Sequence, residues 1–434
     1  MKVVQAGGIY VLANITSAAV PFLLLPVLTR VIDPAGYGHI VNFALLVTVC
    51  SAFAGLNAHA ALGVLWFRRP HNQMPFFVGT GLGLVAVSTI VVACLAAVTL
   101  WNSPDFARGL SPVWGAVAAM TAGANVVSQC RLVLWQSQVK PVHSAFLQIG
   151  GSVLNVGLSL IAIFALGWGG DGRNAGIAAG ALLTAFAALG SFLISREIRW
   201  APDSAQLTTL VAFGTPLIFH TLAGVSLSTA DRWIVAVEFD SHTLGVYGAA
   251  AQLGMIMAIL ADAFMKAYGP WLSAKLASTH SDDKYHAVGA IYIAMPAFLC
   301  VAALVGVAAF WASSVLLGPQ YRAAAWLLPW FVLGGAFTGV YLCTSVLFFF
   351  SGRTGLLALV TLSSAVVGVT ITWLMVATFG VSGAAAGYAI TQGFLALLVT
   401  VVACKSFDLP WREVRKATTI WAHRTFDLLR RAPV

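Results

Sequence analysis

Residues 75–100 read PFFVGTGLGLVAVSTIVVACLAAVTL, a run without a single charged side chain. At 1.5 Å per residue, about 20 such residues carry a helix across the roughly 30 Å of hydrocarbon in a bilayer. Lipid is therefore the solvent of this segment, and the fold depends on how many like it the chain holds. Similar stretches extend in both directions, cut at Asp33-Pro34, Arg69-Pro70, Lys140-Pro141, Gly169-Gly170-Asp171-Gly172, Gly318-Pro319 and Ser351-Gly352. They predict about twelve spans: roughly 4–28, 36–62, 75–100, 112–137, 143–167 and 175–195, then 207–233, 244–268, 287–310, 323–350, 355–379 and 382–405.

Composition agrees. Of 434 residues, 60% are hydrophobic and 9% charged, against roughly 45–50% and 25% in soluble domains. That excludes a soluble enzyme, a nucleic-acid-binding domain and a disordered chain. The net charge of +9 reads as the positive-inside bias of a bacterial-type inner membrane protein, not as a nucleic-acid footprint. With the N-terminus in the cytoplasm, the basic residues fall on that side except Arg30, Arg108, Arg173, Arg232 and Arg322. A wrong span count would scramble this alternation, so twelve spans with both termini cytoplasmic are expected. The stretch from Lys2 to Leu28 has no small-residue cleavage site and reads as a retained first span. Cys50, Cys94, Cys130, Cys300, Cys343 and Cys404 lie singly in apolar runs and give no disulfide framework.

The longest expected loop, Gly269 to His286, is too short for a catalytic domain. Beyond Phe407, Trp411, Val414, Thr418, Trp421, Thr425 and Leu428 follow helical spacing, while Arg412, Arg415, Lys416 and Arg424 lie off that stripe. This reads as a basic amphipathic helix on the inner leaflet, with a protein-docking helix as the alternative. The polar linker Arg196–Gln206 leaves six spans on each side. The expected organisation is a first half at 1–200, a second half at 201–405 and a tail at 406–434. An even number of spans per half makes the halves parallel repeats. Leu28-Thr29-Arg30 with Tyr37-Gly38 in the first half loosely matches Ala230-Asp231-Arg232 with Tyr247-Gly248 in the second, and proline interrupts both lead helices at Pro21, Pro26 and Pro216.

Further matching stretches are Pro21-Phe22-Leu23-Leu24-Leu25-Pro26, Asp33-Pro34, Gly214 with Pro216-Leu217-Ile218 and His220, Gly245-Val246-Tyr247-Gly248, and Ala263-Phe264 through Trp271-Leu272. On these the chain resembles the polysaccharide (O-antigen-type) flippases, in the superfamily that also holds multidrug-extrusion transporters and lipid II flippases. The resemblance implies an all-α polytopic membrane protein, with two six-helix lobes in a V around a central cavity. It also implies export of an undecaprenyl-pyrophosphate-linked oligosaccharide, for O-antigen, lipopolysaccharide or other surface polysaccharide, by alternating access.

Ionisable groups inside spans cost about 2.5–3.5 kcal/mol on insertion scales and each needs a reason. Arg131 is expected about 9 Å deep, after the polar patch Asn125, Ser128 and Gln129, either as a cavity cation for a pyrophosphate or snorkelling to the headgroups. Asp262 and Lys266 are spaced i and i+4 and predict an internal ion pair; Lys266 is also a candidate, with Arg131 and Arg68, for drawing in the pyrophosphate, and Asp262 for coupling to a proton or sodium gradient. Arg30, Arg232 and Asp231 are candidates for cargo contact and an outer gate, and Arg68 for capture of the pyrophosphate at the cytoplasmic end. Asn57, Gln148 and His220, with Asn125 and Gln129, suit a hydrated path for sugar hydroxyls. No spacing of metal ligands is present and no cofactor is expected.

Asp33, Asp105 and Asp171, taken as the acids of the first half, are expected in loops. A cation-coupled drug exporter typically uses a membrane-embedded acid, so its absence there favours an anionic cargo. Two rival readings remain: a multidrug or small-solute antiporter of the same fold, and a membrane polymerase or glycosyltransferase. The latter usually needs a long external loop or an acidic sugar-nucleotide motif, which the sequence lacks. The expected partners are the lipid-linked oligosaccharide, membrane lipids, and glycosyltransferases and polymerase of the same pathway.

Overall fold

The computed structural model describes residues 2–103, 110–200, 203–278 and 280–431, and among them every regular element is helical. Asp105 and Arg108 lie outside this set. The first half forms α1 (Lys2–Val31), α2 (Pro34–Phe53), α3 (Ala58–Arg68), α4 (Met74–Asn102), α5 (Pro112–Ser137), α6 (Pro141–Phe164) and α7 (Gly169–Ile194). The second forms α8 (Ser204–Glu238), α9 (Ser241–Gly254), α10 (Ile256–Ala277), α11 (Ser281–Leu316), α12 (Leu328–Phe350), α13 (Thr354–Ser406) and α14 (Val414–Arg431). Several chain breakers turn out to be helix starts. Pro34, Pro112 and Pro141 occupy the first turn, where the missing N–H costs nothing, and the Asp33 carboxylate accepts the Gly36 N–H at 3.2 Å. Trp101, Phe146, Ile194, Leu304 and Trp311 are all more than half exposed. Rings and aliphatic chains turned outward along long apolar helices mark a multi-pass membrane protein.

Eleven helical stretches are long and apolar enough to span a bilayer among the described residues. The twelfth lies inside α13. A straight helix of its 53 residues would be about 80 Å long. Gly380 instead adopts φ 60°, ψ −140°, and the chain folds back: the Thr391 hydroxyl donates to the Gly368 carbonyl at 3.3 Å. A Cβ on Gly383 would sit 1.9 Å from the Met375 carbonyl oxygen. Two arms, 354–379 and 381–406, thus give the two expected spans with a one-residue turn.

Other expectations need correction. The second span is not one helix: Gly55, Leu56 and Asn57 are left-handed (φ 75°, 44° and 55°) and divide α2 from α3. The expected loop at 269–286 is mostly helix, because α10 runs to Ala277 and α11 starts at Ser281. Charged residues there end the lipid-embedded part without ending the hydrogen-bonded helix. For the same reason α7 begins at Gly169, which puts Asp171 in its first turn and Arg173 in the helix, not in a loop.

The chain packs as two compact units. One comprises the residues up to Val225 with Arg232–Ala249 and Leu316–Arg322; the other comprises Ser226–Asp231, Ala250–Val315 and Ala323 onward. In the first, Leu210 of α8 is buried with Leu62, Phe77, Leu82 and Phe192. The backbone of α8 comes close because Gly214 has no side chain; a Cβ there would lie 1.8 Å from the Leu56 carbonyl oxygen. In the second, Met257, Leu272, Ile291, Val332, Leu347 and Val399 form the core, joined by Trp411 and Ala417. The tail is therefore not simply laid on lipid. One face of α14 is packed into protein, and Arg424 pairs with Asp282 and Asp283.

Candidate transport cavity

A cavity of about 440 Å³ lies within the first unit between α1, α5, α6 and α7. Its polar lining comes from Ser17, Asn125, Gln129, Gln148, Asn155 and Arg173, with Thr184 at one end. Helix geometry explains this set. Asn125, Ser128, Gln129 and Leu132 are spaced i, i+3, i+4 and i+7 along one face of α5, and Gln148, Gly151, Ser152 and Asn155 repeat the pattern on α6. From Arg173 to Thr184 the cavity extends about 16 Å along α7.

Glycine makes the α6–α7 wall close. A Cβ on Gly172 would meet the Ala162 carbonyl carbon at 3.0 Å, one on Gly176 the Ser159 Cα at 2.4 Å, and one on Gly180 the Asn155 Cα at 2.8 Å. This is a small-residue stripe of the kind that lets membrane helices touch backbone to backbone. The close approach brings Arg173 onto α6, where its Nη1 donates to the Asn155 side-chain oxygen Oδ1 and to the Ser159 hydroxyl at 2.6 Å. Arg173 is 8% exposed, and among the described residues no carboxylate pairs with it. The cavity therefore carries a buried positive charge held by neutral oxygens. The Gln148 side-chain amide donates to the Asn14 side-chain oxygen Oδ1 at 2.7 Å and ties α6 to α1.

Arg131 does not face this cavity. It is two residues beyond Gln129, about 200° around the helix, and it is 2% exposed. Its guanidinium pairs with Glu197, donates to the Ser195 hydroxyl at 3.2 Å, and lies 4.3 Å and 4.4 Å from the ring centroids of Trp135 and Phe192. Glu197 is a further acid of the first half, just past the end of α7, where the chain doubles back with Arg196 at φ 54°. The expectation of an open cation at Arg131 fails because this acid returns to neutralise it.

The other candidates are dispersed. Asp262 and Lys266 form the expected pair at 2.9 Å, with side chains 65% and 29% exposed. Arg68 is exposed at the end of α3, and His220 is exposed on α8. Asn57 sits in the left-handed break, its side-chain oxygen Oδ1 accepting from the Thr221 hydroxyl at 3.4 Å. Arg232 is half-buried and Asp231 is 2% exposed. Arg30 is exposed and bonds its own Pro26 carbonyl at 2.7 Å.

The first unit also holds neutral contacts between residues distant in sequence. The Gly318 N–H donates to the Thr29 hydroxyl at 3.0 Å, and the Tyr321 hydroxyl donates to the Ile32 carbonyl at 2.9 Å. Tyr37 and Tyr321 meet edge to face at 5.8 Å. Gly38 and Gly245 permit backbone approach to Ser241 and Pro34. Burial pushes the Tyr321 phenol well above its ordinary range, so the hydroxyl remains a donor.

A family model described as polysaccharide biosynthesis protein matches residues 3–276. The chain belongs to that family. An uncharacterised membrane protein of Haemophilus influenzae is 23% identical over 285 residues, covering 64% of this chain. The match spans 66% of that relative's length, just under two thirds. Among solved structures, a lipid II flippase, MurJ, in an inward closed conformation superposes with TM-score 0.72 at 11% identity, covering 97% of this chain and 91% of its own. A multidrug resistance MATE family transporter of the MOP superfamily, in an inward-facing conformation, gives 0.71 at 15% identity, covering 89% and 94%. At such identities the likeness is one of fold: this polysaccharide biosynthesis family member has the helical architecture found in a flippase and a multidrug transporter.

For this family member, the residue that sequence reasoning left out of the site is Arg173. Its signal was present: Gly172, Gly176 and Gly180 recur every four residues, which predicts a helix face in close contact with a neighbour. Reading the glycine cluster at 169–172 as a loop hid it.

Proposed function

We propose that this protein moves an undecaprenyl-pyrophosphate-linked oligosaccharide across the bacterial inner membrane by alternating access, serving surface polysaccharide biosynthesis. The observation that carries the reading is the cavity of the first unit. Amides and hydroxyls line it for sugar hydroxyls, Arg173 supplies an uncompensated cation for a phosphate or acidic sugar, and no carboxylate lies on its described wall. A cationic drug would be repelled there, which disfavours the multidrug reading. The protein transports and does no bond chemistry, so no cofactor is invoked. A proton or sodium gradient is the proposed energy source, with Asp262 and Asp231 as the acids to test. Glycosyltransferases and a polymerase of the same pathway are the proposed partners.

The test is the location of lipid-linked glycan in cells depleted of this protein, read as access to a periplasmic enzyme in spheroplasts. Complete units confined to the cytoplasmic leaflet support the proposal, with rescue by wild type, weaker rescue by Arg173→Lys and none by Arg173→Ala at equal membrane abundance. Units that reach the periplasm unpolymerised point to a later enzyme. Unchanged glycan together with altered drug sensitivity points to the antiporter.

A further inference from the structure

The second unit holds a separate cavity of about 600 Å³ between α10, α11 and α14. Its deep part is formed by Met257, Leu260, Phe264, Ala297, Phe298 and Val301; its outer end holds Tyr268, Trp271, His286 and Trp421. Two polar groups open on this apolar space. His286 is 3% exposed and Tyr268 6% exposed, and among the described residues neither imidazole nitrogen nor the phenol oxygen has a hydrogen-bond partner. Buried polar atoms are nearly always satisfied, so three unpaired ones in a single apolar cavity point to a ligand that satisfies them.

The dimensions say which kind. From Tyr268 to Met257 the cavity runs about 16 Å along α10, the hydrocarbon depth of one leaflet. Its polar end lies beside the turn joining α10 and α11, where charged residues mark the membrane surface. α14 contributes Trp421 to the wall and is fastened beside it. The Tyr285 hydroxyl bonds the Glu413 carboxylate at 2.7 Å, the Tyr292 hydroxyl bonds the Trp411 carbonyl at 2.7 Å, and Gly289 admits the backbone of Ala417.

We infer that this cavity is a binding site for a membrane glycerophospholipid. One acyl chain fills the stretch from Phe264 to Val301, and the ester or phosphate oxygens accept hydrogen bonds from Tyr268 and His286. The site is distinct from the polar cavity and does not depend on the transport reading.

The full chain would be reconstituted in phosphatidylethanolamine–phosphatidylglycerol vesicles containing a phospholipid with a photoactivatable acyl chain, and labelled peptides mapped. Labelling concentrated on 257–271 and 290–301 is expected. It should fall about tenfold when Tyr268→Phe and His286→Leu together remove the hydrogen bonds to the lipid, and it should vanish in Ala297→Trp, which fills the cavity. Monodisperse elution of each variant, with unchanged labelling of α4, shows that folding is intact; should Ala297→Trp misfold, the hydrogen-bond pair decides alone. Label spread over α4 and α10 in proportion to lipid exposure would overturn the site. Displacement by undecaprenyl phosphate but not by phosphatidylglycerol would also overturn it, assigning the cavity to a polyprenyl chain.

Discussion

Glu197→Gln is the substitution whose outcome the Arg131 environment fixes most closely. It leaves a guanidinium that is 2% exposed with its charge uncompensated. Removing one partner of a buried pair costs about 3–5 kcal/mol, whereas replacing both by well-packed apolar groups is near neutral. The Glu197 side chain is 26% exposed, and the rings of Trp135 and Phe192 still face the guanidinium after the change, which places the cost at the low end, about 3 kcal/mol. At about 2 °C per kcal/mol for a unit of about 250 residues, the melting midpoint should drop by about 6 °C. The assay is thermal loss of the monodisperse peak in detergent, with export of lipid-linked glycan measured in parallel. The double variant Arg131→Met/Glu197→Leu should recover most of the lost stability and retain export. If it recovers stability but not export, Arg131 acts on cargo and its structural assignment here is wrong; if Glu197→Gln melts like wild type, the ion pair itself is refuted.

Three further outcomes follow from the same geometry. Gly176→Ala places a methyl 2.3–2.4 Å from Ser159 and should cost about 1–3 kcal/mol by the same melting assay, while Gly190→Ala, which meets nothing within 4 Å, should not. Gly380→Leu forces a branched residue into φ 60°, ψ −140°, a region open almost only to glycine; a topology reporter fused after Ser406 should lose its wild-type orientation in a measurable fraction of molecules. Docking of α14 should depend on pH only at the extremes. The hydrogen bond from Tyr285 holds the Glu413 carboxyl below its ordinary range, a contribution present above that range and lost as pH falls through the lowered value. Contact with Tyr285 also raises Lys416, a contribution present at lower pH and lost as pH rises through the raised value. Hydrogen exchange of α14 should be protected evenly from about pH 5 to about pH 10 and rise outside that window, and Tyr285→Phe should weaken both dependences while the Glu413–Lys416 and Arg424–Asp283 pairs persist.

The sequence alone determined the solvent, the all-helical class and the number of crossings. Each follows from local composition: a charge-free run such as 75–100 has no alternative to a spanning helix, and X-Pro steps such as Asp33-Pro34 set where the next helix starts. Even the i, i+4 pair of Asp262 and Lys266 was legible, because one helix turn fixes it. Only the tertiary structure decided which charges remain available. Arg131 and Arg173 are both arginines on apolar helices, and hydropathy treats them alike. One meets Glu197, which is 66 residues away in sequence, and the other, among the described residues, is held by hydrogen bonds to Asn155 and Ser159 across a glycine stripe. The worth of a buried charge is set by what long-range packing brings within a few ångströms, and periodicity along a single helix carries no record of that neighbour.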